Sequence, residues 1–209
     1  MKLQDLTVKE FLRKTAANEA VPGGGSSSAL NGAIASALGE MVANLTIGKK
    51  KYAEVEERMR ELAAAMSAYR SRFVNDIDRD AEAYRQVMEA YRLPKESETE
   101  MVKRNEAIQL AMTSASLVPM EVAENALEML ILLAETLEKG NSNTVTDGLV
   151  GAMTCRTAIM GALFNVRTNL GGITDENFVG LMNDKCDRME REALTIEEAL
   201  IRRVKTQLG

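Results

Sequence analysis

Histidine and tryptophan are absent from this 209-residue chain, and only 3 prolines and 2 cysteines occur. Each shortage removes a class of chemistry. Without histidine the usual zinc and iron ligand sets cannot be assembled, and no imidazole can act as acid or base. No metal site is expected, and any proton transfer must run through Asp, Glu, Lys, Tyr, Cys or water. Cys155 and Cys186 stand alone with no Cys-x-x-Cys, so no disulfide framework is indicated. A basic surface is lacking as well: the formal net charge of −5 argues against bulk nucleic-acid binding. Scarce proline, beside abundant Ala, Leu, Met, Glu and Arg, favours helix nearly throughout.

The first residues, Met1-Lys2-Leu3-Gln4-Asp5, hold no apolar signal core, and the expected location is the cytoplasm. The span Ala29 to Ile47 is long and carries one charge, Glu40, but Asn31, Ser36 and Asn44 interrupt it. It reads as a central buried helix and not as a membrane span.

Periodicity places a short first helix after Thr7, ending before Pro22, and a second from Ala29 to Leu45 with Gly48 beyond it. This second helix has one large face (Leu30, Ile34, Leu38, Met41, Leu45) and one small face (Ala29, Gly32, Ala33, Ser36, Ala43), so both are expected to be buried. A third helix carries Val55, Met59, Leu62, Met66, Tyr69 and Phe73 in one stripe and stops around residue 92, before Pro94. Ser97 to Glu100 is a capping box for a fourth, which Pro119 breaks or kinks; a fifth then runs to Leu137. A sixth reaches Leu170 before Gly171-Gly172, and Thr174 or Asp175 caps a seventh. The methionines read as core filler. The expected fold is all-α: a single domain over residues 1–209 of long, mostly antiparallel helices, about seven in number.

Three constellations could carry chemistry. The first is Val21-Pro22-Gly23-Gly24-Gly25-Ser26-Ser27-Ser28, a turn followed by a serine cap. It is either a flexible capped loop or a helix start at which exposed N–H groups receive an anion. No Gly-Lys-Ser/Thr follows and no strand precedes, so an anionic organic ligand fits better than a nucleotide. The second is Asp76 and Asp80, which continue the third helix's apolar stripe and sit one turn apart. Taken from water, such carboxylates pair with a cation or hold their protons more tightly; left in water, they mean only that the helix outruns its core. The third is Asn165 and Asn169, one turn apart on the side of Ala158 and Gly161, with Asp147 at the start of the same helix. They are structural amides and a cap, or the partners of a ligand's ring edge. Lys49-Lys50-Lys51 follow the second helix, where they either complement its dipole or hold an anionic tail.

The order of these motifs carries more than any one of them. Pro22-Gly-Gly-Gly-Ser26, Met41 to Tyr52 with its Asn-Leu-Thr-Ile-Gly-Lys-Lys-Lys, Ala90 to Lys95, then Asp147 with Gly161 to Leu170, resemble the cyclodeaminase/cyclohydrolase family. This is the helical domain of formiminotransferase-cyclodeaminase, also found free-standing. The resemblance covers nearly the whole chain. Ser27-Ser28 depart from it, replacing the usual small apolar residues. It implies an all-α homodimer, a folate site in a cleft near the subunit interface, and action on a one-carbon unit of tetrahydrofolate as substrate, with no permanently bound cofactor. A separate formiminotransferase would supply that substrate. Carried onto this chain, the substrate-binding candidates are Pro22, Gly23, Gly24, Gly25, Ser26, Lys49, Asp147, Asn165 and Asn169.

The implied reaction closes N5-formimino-tetrahydrofolate to the 5,10-methenyl cation and releases ammonia. Asp80 is the expected catalytic carboxylate, with Lys50 or Tyr84 supplying or relaying a proton. Asn165 and Asn169 would orient the pterin, and the glycine turn or the lysines would receive the glutamate tail. The alternatives are a cyclohydrolase opening the same cation to 10-formyl-tetrahydrofolate, and a non-catalytic folate-binding helical dimer.

Overall fold

Four long helices close on one another in an up-down-up-down bundle. The computed structural model describes residues 2–208; Met1 and Gly209, the ends of the expected domain, lie outside the described residues. A short helix α1 (Val8–Thr15) precedes the bundle helices α2 (Gly24–Asn44), α3 (Glu56–Tyr91), α4 (Glu98–Lys139) and α5 (Val145–Leu170), and α6 (Glu176–Leu208) follows. Each of α2 to α5 packs against the next, and α5 returns against α2. Helix α6 lies across α4 and α5. Their register is written in pairs: Gly32 lies against Phe73, Gly148 against Leu137, and Arg79 reaches Glu121.

The core is a sleeve of fully buried Met66, Phe73, Met129, Leu133, Ile159 and Leu163. Helix α2 enters it mainly with its small face: Ala29, Ala33, Ser36 and Ala43 are buried, whereas on the large face Leu30, Leu38 and Met41 are half-buried and Ile34 and Leu45 are each 44% exposed. The expectation that both faces are buried is therefore corrected. The reason is close approach. A β-carbon on Gly32 would stand 2.9 Å from the Phe73 ring, and one on Gly39 2.9 Å from Leu133. The large residues of α2 have no room on that side.

Several boundaries follow their capping chemistry. Thr7 and Ser97 form the capping boxes of α1 and α4, and Asp175 Oδ1 accepts from the Phe178 N–H to open α6. Two readings change. Helix α2 begins at Gly24, so the glycines and serines lie inside its first turns and Gly23 is the N-cap, with no serine acting as one. Pro119 lies within one continuous α4, which makes six α-helices where about seven were expected. Residues 29–47 form part of a bundle helix, as read; among the described residues the one helix long and apolar enough by composition to cross a membrane is Ser142–Leu170, with an 18-residue window of mean hydropathy 1.4, and its α5 portion packs between α2 and α4.

One surface network ties α3 to α4. Arg58 forks onto Glu135, with Nε 2.9 Å from Oε1 and Nη2 2.7 Å from Oε2, and Lys139 adds a bond of 2.7 Å. Arg58 first, then Lys139, pulls the Glu135 carboxyl from its ordinary 4.5 down to about 2. A depressed carboxyl stabilises the fold above its unfolded value and ceases to do so as pH falls through its folded one. Glu135→Gln is accordingly expected to lower the urea midpoint at pH 7, with the deficit closing as pH falls from about 4.5 towards 2. Midpoints measured for both chains across that range check it.

Candidate active-site cleft

The recess lies where α2 starts and α5 ends, under the overhang of α3 and α4. From Asp80 to Tyr91, α3 runs on for 11 residues, about 16 Å of helix. The cavity holds about 430 Å³. Its floor is Gly23, Gly24 and Gly25; one wall is Asp80, Tyr84 and Tyr91 of α3; the opposite wall is Asn165 and Asn169 of α5. The chain leading into α2 closes the side with Ala20 and Val21.

Asp80 is held by the helix that faces it. The first turn of α2 has no side-chain cap of its own. Ser26 Oγ lies 2.9 Å from Asp80 Oδ2, and the nearby Ser26 backbone N–H also favours the ionised form of this carboxylate. Asp80 thus sits over the first turn of α2 from across the bundle and acts as its cap through Ser26, where N–H groups and the helix dipole favour negative charge. The hydroxyl also lies 3.0 Å from the Ile77 carbonyl. One hydroxyl proton cannot serve both acceptors at once, and an ionised Asp80 is the stronger of the two. Burial pushes the Asp80 carboxyl above its ordinary value, against the Ser26 hydroxyl and N–H, and no charged side chain enters the balance. The result is a carboxyl that binds a proton more readily than a surface aspartate, with Oδ1 open to the cleft.

Gly25 makes this possible. A β-carbon there would overlap Asp80 Oδ1 and Cγ, far inside van der Waals contact distance. Gly24 similarly lets the Asn165 amide approach; its β-carbon would meet Nδ2 at 3.2 Å. Asn165 Nδ2 donates to the Gly161 carbonyl at 2.7 Å, and Asn169 Nδ2 to the Ala115 carbonyl at 2.7 Å. Neither amide oxygen has a protein donor among the described residues, so both remain free to accept from a ligand.

The structure gathers Gly23, Gly24, Gly25, Asp80, Tyr84, Asn165 and Asn169 around one recess. It does not bring the other candidates there. Ser26 is 0% exposed and touches Asp80, so its hydroxyl tunes the carboxylate and cannot reach a ligand. Pro22 is buried outside the lining. Lys49 and Lys50 follow the other end of α2, whose 21 residues span about 30 Å, and within one chain Lys50 cannot act beside Asp80. Asp147 sits at that same far end, exposed in the first turn of α5, while Thr144 occupies the N-cap position. Asp76 parts from Asp80 as well: it is 1% exposed and bonded to Arg79 at 2.7 Å, away from the recess. The cleft also contains residues that the sequence reading passed over, among them Tyr91, Met112 and Thr168. Tyr91 continues the spacing of 80, 84 and 87 by one more turn and could have been found that way.

The arrangement can hold a flat, donor-bearing molecule between the amide oxygens and the tyrosines, with a proton-exchanging carboxyl at its side and no cation competing for it. Known proteins share this framework. The formiminotransferase-cyclodeaminase family model matches residues 7–188. The chain is 34% identical over 203 residues to the methenyltetrahydrofolate cyclohydrolase of Methylorubrum extorquens, covering 97% of this chain and 98% of that one. It is 32% identical over 193 residues to the formimidoyltransferase-cyclodeaminase of Mus musculus, covering 92% of this chain but only 36% of the mouse protein. The crystal structure of formiminotetrahydrofolate cyclodeaminase from Thermotoga maritima superposes with a TM-score of 0.88 at 32% identity, over 100% of both chains. With the family model matched over residues 7–188 and relatives above 30% identity over nearly its whole length, the chain belongs to the formiminotransferase-cyclodeaminase family.

Proposed function

We propose that the protein is a folate one-carbon enzyme that cyclises 5-formiminotetrahydrofolate to 5,10-methenyltetrahydrofolate with release of ammonia. The observation that carries this reading is Asp80: a carboxyl on the wall of the recess that burial makes readier to bind a proton than a surface aspartate, with no cation beside it among the described residues. N10 attacks the formimino carbon and gives up its proton. The former imine nitrogen, now an amine on a tetrahedral carbon, takes up a proton and leaves as ammonia. The lone pair of N5 or N10 then closes the delocalised methenyl cation. Starting from neutral substrate, one proton enters, and a cation and ammonia come out. Asp80 can receive the proton from N10 and return it to the leaving nitrogen, and its ionised form then faces the cation. Tyr84, which lines the same wall, would relay that proton. The amide oxygens would seat the pterin edge and fix N10 over N5. The reaction needs no resident cofactor; folate enters as substrate.

A second reading, cyclohydrolysis of the methenyl cation to 10-formyltetrahydrofolate, is favoured by the full-length likeness to a protein of that name. The same carboxyl would then take a proton from attacking water. Purified protein given each substrate separately decides: methenyl absorbance should grow from the formimino substrate on the first reading and decay from the methenyl substrate on the second. Turnover of neither leaves only folate binding.

The exposed large face of α2 supports a homodimer. Ile34 and Leu45 of α2, and Val150, Met153 and Phe164 of α5 packed beside it, are exposed and uncharged, and the two helices meet the cleft at Gly24 and Asn165. A second copy seated there would put the recess at the subunit boundary. We place the enzyme in the cytoplasm, where the buried thiols of Cys155 and Cys186 would stay reduced, with a separate formiminotransferase as supplier.

A further inference from the structure

We propose that Pro119 is a positioning residue of the cleft: it frees the Ala115 carbonyl to hold the Asn169 amide, so that Asn169 offers a ligand an acceptor. In an α-helix the N–H of residue 119 would bond the carbonyl of residue 115. Proline has no N–H, and its ring crowds that same carbonyl, tilting it out of the ladder. Ala115 is 5% exposed, so water is a poor substitute, and an unpaired carbonyl there would be costly. Asn169 Nδ2, from α5, fills the place at 2.7 Å.

This contact settles which way the amide points. A carbonyl only accepts, so the NH₂ group must face Ala115, and Oδ1 is left on the opposite side of the amide. Asn169 and Ala115 both line the recess, and Oδ1 has no protein donor among the described residues. Asn165 repeats the arrangement one turn earlier, its Nδ2 spent on Gly161. The α5 wall therefore shows a pair of acceptors one helical turn apart. It selects a ligand edge that donates more than once. The pyrimidine N–H, exocyclic amine and N8–H along one edge of a tetrahydropterin answer that description, and to that extent the inference rests on the folate reading. The proline that interrupts α4 is thus part of how the site is built.

A double-substitution cycle tests it. Asn169→Ala alone leaves the Ala115 carbonyl unpaired and should lower the urea midpoint. Made together with Pro119→Ala, it should cost clearly less, because the restored helix N–H takes that carbonyl. Pro119→Ala alone should be no less stable than the parent yet raise KM for the reduced folate by about tenfold, with a smaller change in kcat. Additive midpoint effects overturn the inference, and so does an unchanged KM in a folded Pro119→Ala chain. If Pro119→Ala does not fold, Asn169→Asp decides: the shape is kept and the donor is lost at pH 7, so the midpoint should drop there and recover as acid restores an O–H. An undisturbed midpoint at pH 7 overturns it. Calorimetry with tetrahydrofolate on the parent chain keeps the two readings apart. If the parent binds none, the folate reading fails, while the midpoint cycle still rules on Pro119 and Asn169.

Discussion

Asp80→Asn should fold like the parent and turn over about 10²- to 10⁴-fold more slowly, the range expected when a positioned acid-base group is removed. The substitution keeps shape. The asparagine oxygen can still accept from Ser26, so the cap on α2 survives with little change. It removes the ability to take a proton from N10 and the charge that faces the methenyl cation. Stability should move the other way. Burial raises the Asp80 carboxyl above its ordinary 3.8, so the folded chain holds this proton more tightly than the unfolded chain does. Ionised Asp80 therefore costs stability, and the cost grows as pH rises above the unfolded value and levels off above the folded one. Asp80→Asn should melt at or above the parent temperature at pH 7 and close to it at pH 3. A chain that folds, binds folate and turns over normally removes Asp80 from the mechanism.

Gly25→Ala should be nearly as damaging through a single methyl group. The added carbon would land on the Asp80 carboxylate, which must rotate away from Ser26 and from the substrate. A reacting group displaced by about 1 Å can cost about 100-fold, so kcat should fall by about that factor. The fold should tolerate it, since alanine is about 1 kcal/mol better than glycine inside a helix, and this offsets part of the strain. Gly24→Ala is the control. Its β-carbon meets the end of Asn165 at 3.2 Å, a contact that a side-chain rotation relieves, so KM should move and kcat much less. Steady-state kinetics on both variants with the formimino substrate separate the two glycines. A Gly25→Ala enzyme with parental kcat would show that the carboxylate's position is immaterial.

Much of the fold was legible because caps and apolar spacing are local. Thr7, Ser97 and Asp175 announce helix starts through their own side chains. The start of α2 was misplaced because its cap comes from Asp80, 57 residues away from Gly23. Pro119 suggested a break because the group that compensates it, Asn169, belongs to another helix. The site was legible in part for a related reason. Asp80 and the two asparagines were found as polar residues on faces that ought to be apolar, and the glycines as a run without side chains. Lys49, Lys50 and Asp147 were grouped with them because motif order along a chain does not say which end of a helix a residue occupies. In a bundle of helices about 30 Å long, opposite ends are separate places.

The unequal lengths of the bundle helices bear on how a ligand comes and goes. Because α3 and α4 outrun α2 and α5, the recess is a step at the top of the bundle, and the sleeve of Phe73, Met129 and Leu133 lies below it. A visitor displaces solvent from a ledge; no helix has to part from its neighbour to admit it. Docking and departure are thereby uncoupled from the contacts that keep the molecule together, and the ledge can be reshaped, residue by residue, without drawing on them.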